Sequence, residues 1–69
     1  MSDLEDLIAR LRSVSDDLAD RAISVLSEAS RAGQTERPDE ERALTQARRA
    51  VEKAIAVLEK QQGRSAGDD

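Results

Sequence analysis

The 69-residue chain contains no cysteine and no histidine. Without cysteine it can form neither a disulfide nor a thiolate metal site. Without histidine it lacks the commonest metal ligand and the commonest general base. We therefore expect no metal, no cofactor and no small-molecule substrate, and we expect that the protein is not an enzyme.

Aromatic residues are also absent, so a core must be built from Leu, Ile, Val and Ala. No apolar run approaches the ~20 residues that span a bilayer. The first ten residues, MSDLEDLIAR, are acidic where a targeting peptide is basic. These features predict a cytoplasmic protein without membrane contact. The nine arginines against two lysines favour a GC-rich bacterial source.

The first half of the chain carries a helical pattern, because its apolar residues recur at intervals of three and four. The stripe consists of Leu4, Leu7, Leu11, Val14, Leu18, Ala22, Val25, Ala29 and Ala32, with Ile8, Ala19 and Leu26 beside it. It predicts helix 1 at about 3–32. Ser2 and Glu5 have the spacing of a capping box, and Gly33 is expected to end the helix with a positive φ.

The second half begins a new helix at Pro38, since proline suits the first helical turn. Its apolar stripe consists of Leu44, Ala47, Val51, Ala54, Ile55 and Leu58. This pattern predicts helix 2 at about 38–62, and the composition of residues 63–69 is typical of a disordered tail. The predicted fold class is therefore all-α: one domain, residues 1–62, that forms an antiparallel two-helix hairpin.

A hairpin of this size buries little surface and is only marginally stable by itself. With disulfides and metal sites excluded, oligomerisation is the remaining way to stabilise it. Pairing about the turn places Val14 opposite Ile55, and it leaves Leu4, Leu7 and Ile8 without apolar partners. We expect a second copy to cover this overhang, which gives a two-fold dimer in the form of a four-helix bundle. The predicted self-association residues are Leu4, Leu7, Ile8, Leu11, Leu18, Val51, Ile55 and Leu58. The alternative is a monomeric hairpin that docks on another protein.

Two further patterns lie on helix 2. Four small residues, Ala43, Ala47, Ala50 and Ala54, share a face, and small side chains let helix backbones approach closely. Four cations, Arg42, Arg49, Lys53 and Lys60, fall within ~60° of one another on the outer face, as a phosphate-binding surface requires. The net charge of −4 and the neighbouring glutamates make an ordinary solvated face the simpler interpretation.

The predicted function is a non-enzymatic protein–protein interaction or self-assembly module, a small bacterial scaffold or regulator whose partner the sequence does not identify. The alternative is a nucleic-acid-binding hairpin dimer that uses the four cations. A salt titration distinguishes the two, because phosphate contacts weaken steeply with salt. Ser13 and Ser15 lie level with Lys53 in the predicted hairpin, but nothing in the sequence marks either serine as buried, so a Ser–Lys catalytic pair is not favoured.

Overall fold

The computed structural model describes residues 3–67, with side chains for residues 3–63. It contains two helices, α1 over Leu4–Arg31 and α2 over Asp39–Gly67, and they pack against each other along their length. Contacts of Arg12 with Glu59 and of Arg21 with Glu40 show that the helices are antiparallel. No strand occurs in the described range. The predicted all-α hairpin is confirmed, with bounds that differ by one residue at three of the four helix ends.

The start of α1 is capped by Asp3, whose Oδ1 accepts a hydrogen bond from the backbone N of Asp6 at 2.8 Å. This contact satisfies one of the amides that an α-helix leaves free at its N-terminus. The predicted cap, Ser2, lies outside the described residues. The cap that the structure shows therefore stands one residue later than the predicted capping box.

The end of α1 is a Schellman turn. Gly33 has a φ of 83°, as predicted, and its backbone N donates to the carbonyl of Ser30 at 3.0 Å. The backbone N of Gln34 donates to the carbonyl of Ala29, also at 3.0 Å. These two bonds satisfy carbonyls at the helix end, and glycine adopts the left-handed conformation at little cost. These two hydrogen bonds and the left-handed conformation of Gly33 therefore explain why the helix ends and the chain turns here.

The end of α2 differs from the prediction. Within the described residues only Gly33 has a positive φ, so Gly63 does not form a helix-ending turn and the backbone helix continues to Gly67. The helix end predicted at about residue 62 was therefore too early. Disorder of the tail over 63–69 stays a prediction, and Asp68 and Asp69 lie outside the described residues.

The seam between the helices follows a seven-residue repeat. On α1 the buried and half-buried positions that alternate at intervals of four and three are Leu4, Ile8, Leu11, Ser15, Leu18, Ala22, Val25 and Ala29. On α2 the matching positions include Glu41, Leu44, Val51, Ile55, Leu58 and Gln62. This spacing is that of a coiled coil.

The predicted stripe of α1 was wrong at three positions, because Leu7, Val14 and the C-cap residue Ala32 are exposed. Ile8 and Ser15 occupy the seam in place of Leu7 and Val14, each 5 % exposed, whereas Leu7 is 41 % and Val14 45 % exposed. The prediction preferred a valine to a serine, although the repeat of four and three passes through the serine. At these two positions the predicted interior face of α1 is displaced around the helix axis by one residue.

The hairpin is an elongated single layer. Its Cα atoms extend over 58 × 20 × 12 Å, and the radius of gyration is 16.2 Å. A compact domain of this length has a radius of gyration of about 11 Å. No large side chain in the described part of the chain is fully buried. Two packed layers are the usual minimum for a hydrophobic core, so one layer leaves both broad faces of the seam open.

Candidate functional site

Two ion pairs that cross the seam distinguish the two broad faces of the hairpin. The Arg21 guanidinium contacts the Glu40 carboxylate at 3.0 Å on one face, and Arg12 contacts Glu59 on the other. Residues seven apart share one edge of a coiled-coil helix, so each ion pair marks an edge on both helices. We name as the front face the four apolar residues on the Arg21–Glu40 edges, Leu7, Val14, Ala47 and Ala54; the same edges also carry Arg21, Glu28, Glu40 and Gln61. We name as the back face the residues on the opposite edges, Arg12, Ala19, Leu26, Thr45, Glu52 and Glu59.

The front face is apolar and exposed. Leu7 and Val14 supply two large side chains from α1, and Ala47 and Ala54 supply two small ones from α2. The outer border of this face on α2 is also apolar, since Ala43, Ala50 and Val57 are exposed there. All four residues of the predicted alanine-rich edge are therefore open to solvent. A contiguous apolar surface of this kind is typical of an interaction site.

The back face is more polar, although it also carries Leu26 at 44 % exposure, and beside it lies the buried hydroxyl of Ser15. The Nε of Arg48 donates to Ser15 Oγ at 3.4 Å, and Ser15 Oγ is 3.4 Å from Oε2 of Glu52, to which it donates. Arg48 and Glu52 also form an ion pair at 3.5 Å. An open groove of about 370 Å³ lies beside these residues. It is lined by Arg12, Ser15, Asp16, Glu52 and Ile55.

The burial of Ser15 is a correction to the sequence analysis, which treated the serine as a surface residue. Its hydrogen-bond partners are Arg48 and Glu52, and Lys53 is not among them. A guanidinium stays protonated and cannot accept a proton from a hydroxyl. The Glu52 carboxylate is at the same time engaged by Arg48 in the ion pair. The arrangement therefore satisfies a buried hydroxyl and does not resemble an activated nucleophile.

A second polar cluster lies beside the turn, where Glu41 is only 7 % exposed. The Nε of Arg37 donates to Oε1 of Glu41 at 2.7 Å, and the Thr45 hydroxyl donates to Oε2 at 2.9 Å. The Arg37 hydrogen bond, assisted by that of Thr45, lowers the pKa of the Glu41 carboxyl below its ordinary value. The cluster links the turn to the first two turns of α2.

The lowered pKa of Glu41 makes stability depend on pH. Because the unfolded chain binds the proton at a higher pH than the folded chain, the stabilising contribution is complete above the ordinary Glu range. It is lost as the pH falls through that range toward the lower folded-state pKa. We expect urea melts of the wild type to lose stability between about pH 5 and pH 3, and Glu41→Gln to lose less. Glu36→Gln, at an exposed carboxylate in the turn, is the control and should follow the wild type; equal slopes for all three proteins would contradict the assignment.

The predicted self-association residues occupy three different environments. Ile8 and Ile55 are buried in the seam, and Leu7 is exposed. Five are half-buried along the seam: Leu4, Leu11, Leu18, Val51 and Leu58. Self-association through this set stays a prediction.

The predicted overhang was wrong for Ile8, which the hairpin itself buries. The predicted pairing places Val14 opposite Ile55, whereas the neighbouring Ser15 contacts Arg48 and Glu52 in the structure. Ile8 lies one heptad further from the hairpin turn than Ser15. The turn of α2 that contains Leu58 is therefore level with Ile8. Of the three overhanging residues, Leu7 is exposed at 41 % and Leu4 is half-buried.

The basic stripe lies on the outer side of α2, away from the seam. The side chains of Arg42, Arg49, Lys53 and Lys60 are all exposed. Among residues 3–63 none of these four makes an ion pair within 4.0 Å. Nucleic-acid contact by the stripe stays a prediction.

Comparison with protein-family models, with curated proteins and with solved structures finds no match for this chain. In the described part of the chain, neither helix has an apolar stretch that could cross a membrane. The same residues contain no group of three or more His, Cys, Asp or Glu side chains placed to hold a metal ion.

Proposed function

We propose that this protein is a non-enzymatic protein–protein interaction and self-assembly module, which acts as a small scaffold or regulator. The observation that carries the proposal is the front face, an apolar surface left open on a hairpin that is one layer thick. Monomeric soluble proteins seldom expose large contiguous apolar surface unless it binds something. A second layer supplied by another chain removes this surface from water.

The dimensions of the hairpin support the proposal. A broad face measuring 58 × 20 Å is larger than the ~800 Å² that each partner buries in an interface of standard size. The half-buried side chains along the seam also gain burial when a second layer covers them, at roughly 25 cal/mol for each Å² of apolar surface. A hairpin of this length has few other sources of stability, because it has no disulfide.

The test is the mass of the protein in solution. Light scattering behind a sizing column should give a small whole multiple of the 7.5 kDa chain mass, twice that mass for a four-helix bundle. Circular dichroism of the same fractions should show helix. A cooperatively folded species with the mass of one chain at micromolar concentration would overturn the proposed self-assembly.

A further inference from the structure

The basic stripe of α2 is a narrow line of positive charge on the side of the helix that faces away from the seam. Its members follow one another at intervals of seven, four and seven residues: Arg42, Arg49, Lys53 and Lys60. At 1.5 Å per residue the stripe extends over ~27 Å of the helix axis. All four side chains are exposed, and among residues 3–63 none of them forms an ion pair. These cations are therefore available to an anionic ligand.

The two glutamates that lie next to the stripe in the sequence are directed toward the seam. Glu52 contacts Arg48 at 3.5 Å and lies within 3.4 Å of the Ser15 hydroxyl. Glu59 contacts Arg12 of the other helix. Arginines outside the stripe therefore neutralise both carboxylates. Between residues 42 and 63 the outer side of α2 carries no carboxylate, and the residues beside the stripe there are uncharged: Ala43, Gln46, Ala50, Ala56, Val57 and Gly63.

The negative net charge of the chain is concentrated away from the stripe. Residues 42–60 hold five cations and two carboxylates, whereas the other residues hold six cations and thirteen carboxylates. The exposed Asp17 and Asp20 are examples, since they lie on α1, on the opposite edge of a hairpin that extends over 20 Å in width. Salt screens charges over ~8–10 Å at an ionic strength of ~0.1–0.15 M. The acidic side of α1 therefore has little effect on an anion bound at the stripe.

The residues beside the stripe indicate which anion fits it. A helix that binds a membrane surface has Trp, Phe or Leu beside its cations, and a protein interface has an apolar centre. Here the flanking residues are mostly alanines, and Val57 is the only large apolar side chain on the outer side of residues 42–63. Proteins that bind single strands stack the bases on aromatic residues, and this chain has none. A duplex exposes its phosphates and needs only cations that can reach them.

We propose that the basic stripe of α2 binds the phosphate backbone of a nucleic-acid duplex without reading its sequence. Each of the four cations contacts one phosphate, and the small side chains between them let the backbone approach the helix. This activity is additional to the proposed self-assembly and does not rest on it, because the stripe contains no residue of the front face.

The test is the salt dependence of duplex binding. The anisotropy of a labelled DNA duplex, and of the RNA duplex of the same sequence, is measured with increasing protein at several salt concentrations. We expect a dissociation constant of about 10⁻⁴–10⁻⁶ M and, for DNA, a log–log slope of about −3 to −4 against salt, as four phosphate contacts require. Binding of either duplex supports the proposal, and the tighter one identifies the source of the phosphates. No binding of either duplex at about 50 mM salt would overturn it.

A matched pair of substitutions tests the role of the stripe. Arg49 belongs to the stripe, whereas Arg10 lies on α1 and pairs with Asp6 at 3.7 Å. Both arginines are exposed, and both Arg49→Gln and Arg10→Gln remove one positive charge. Arg49→Gln should weaken DNA binding by about tenfold at ~50 mM salt and reduce the salt slope by about 1, whereas Arg10→Gln should change binding by less than about twofold. Circular dichroism checks that both variants stay helical.

Equal weakening by the two substitutions would show that binding follows the net charge, and it would overturn the assignment to the stripe. Vesicles of phosphatidylserine and phosphatidylcholine in equal parts distinguish a lipid surface from a duplex, because both offer phosphates. We expect the protein to bind these vesicles more weakly than the duplex at the same salt concentration. Tighter binding to the vesicles would overturn the choice of nucleic acid as the ligand.

Discussion

Replacement of Ile8 by aspartate unfolds the hairpin, whereas the same replacement at the neighbouring Leu7 leaves it helical. Ile8 lies in the seam at 5 % exposure, so the change removes about 1.5–3 kcal/mol of apolar burial. It also forces a carboxylate into a buried position, which adds a further penalty of several kcal/mol. The native state of so small a domain is only marginally stable, so a total loss above about 3 kcal/mol leaves it mostly unfolded.

Leu7 is the matched control because aspartate at that position reaches water. Because folding is linked to association, its helix content should stay near that of the wild type at protein concentrations well above its dissociation constant. Its assembly should weaken because Leu7 belongs to the front face. Circular dichroism with urea melts measures the first effect, and light scattering measures the second. The sequence alone predicts the same outcome for both variants, since it treats both residues as one overhang. Equal loss of helix in the two proteins would therefore contradict the seam that the structure shows.

A hundredfold dilution of the wild type lowers its melting temperature by on the order of 5–10 °C. If folding and association are linked, the free energy of the folded dimer falls by about 2.7 kcal/mol over that range. For a folded unit of two chains each kcal/mol corresponds to roughly 2–4 °C. The hairpin has little core of its own, so we expect the linkage to be strong.

The measurement is a thermal melt followed by circular dichroism at about 100 μM and about 1 μM, concentrations chosen so that mass action has a measurable effect. Val14→Asp serves as the control, because its melting temperature should be lower than that of the wild type and nearly independent of concentration. A wild-type melting temperature that does not change on dilution would show that one chain folds without help from a second.

Local signals made the helices and the turn predictable from the sequence. Pro38 allows a first turn, Gly33 allows a left-handed turn, and acidic residues stand at both helix starts. Each of these effects acts within a few residues, so no knowledge of the rest of the fold is needed. The cap on Asp3 and the end of α2 at Gly67 differ from the prediction because neighbouring residues compete for the same role at helix ends.

The seam was less predictable because it depends on both helices at once. Apolar spacing alone prefers Val14 to Ser15, and only the partner helix, with Arg48 and Glu52 at the right level, makes the serine an interior residue. Glu41 is a similar case, since its burial depends on Arg37 and Thr45. The residues of the front face are those beside the seam on one side. The sequence alone therefore could not identify the front face, because it did not place the seam correctly.

The serine in the seam has one more consequence, for the alignment of the two helices. An all-leucine seam looks the same after a slip of one heptad, so the helices can settle in several alignments. Here a slip separates the Ser15 hydroxyl from Arg48 and Glu52, its partners on the other helix. Slipped alignments leave polar groups without partners, so the hairpin has one preferred alignment even though these contacts add little to its stability.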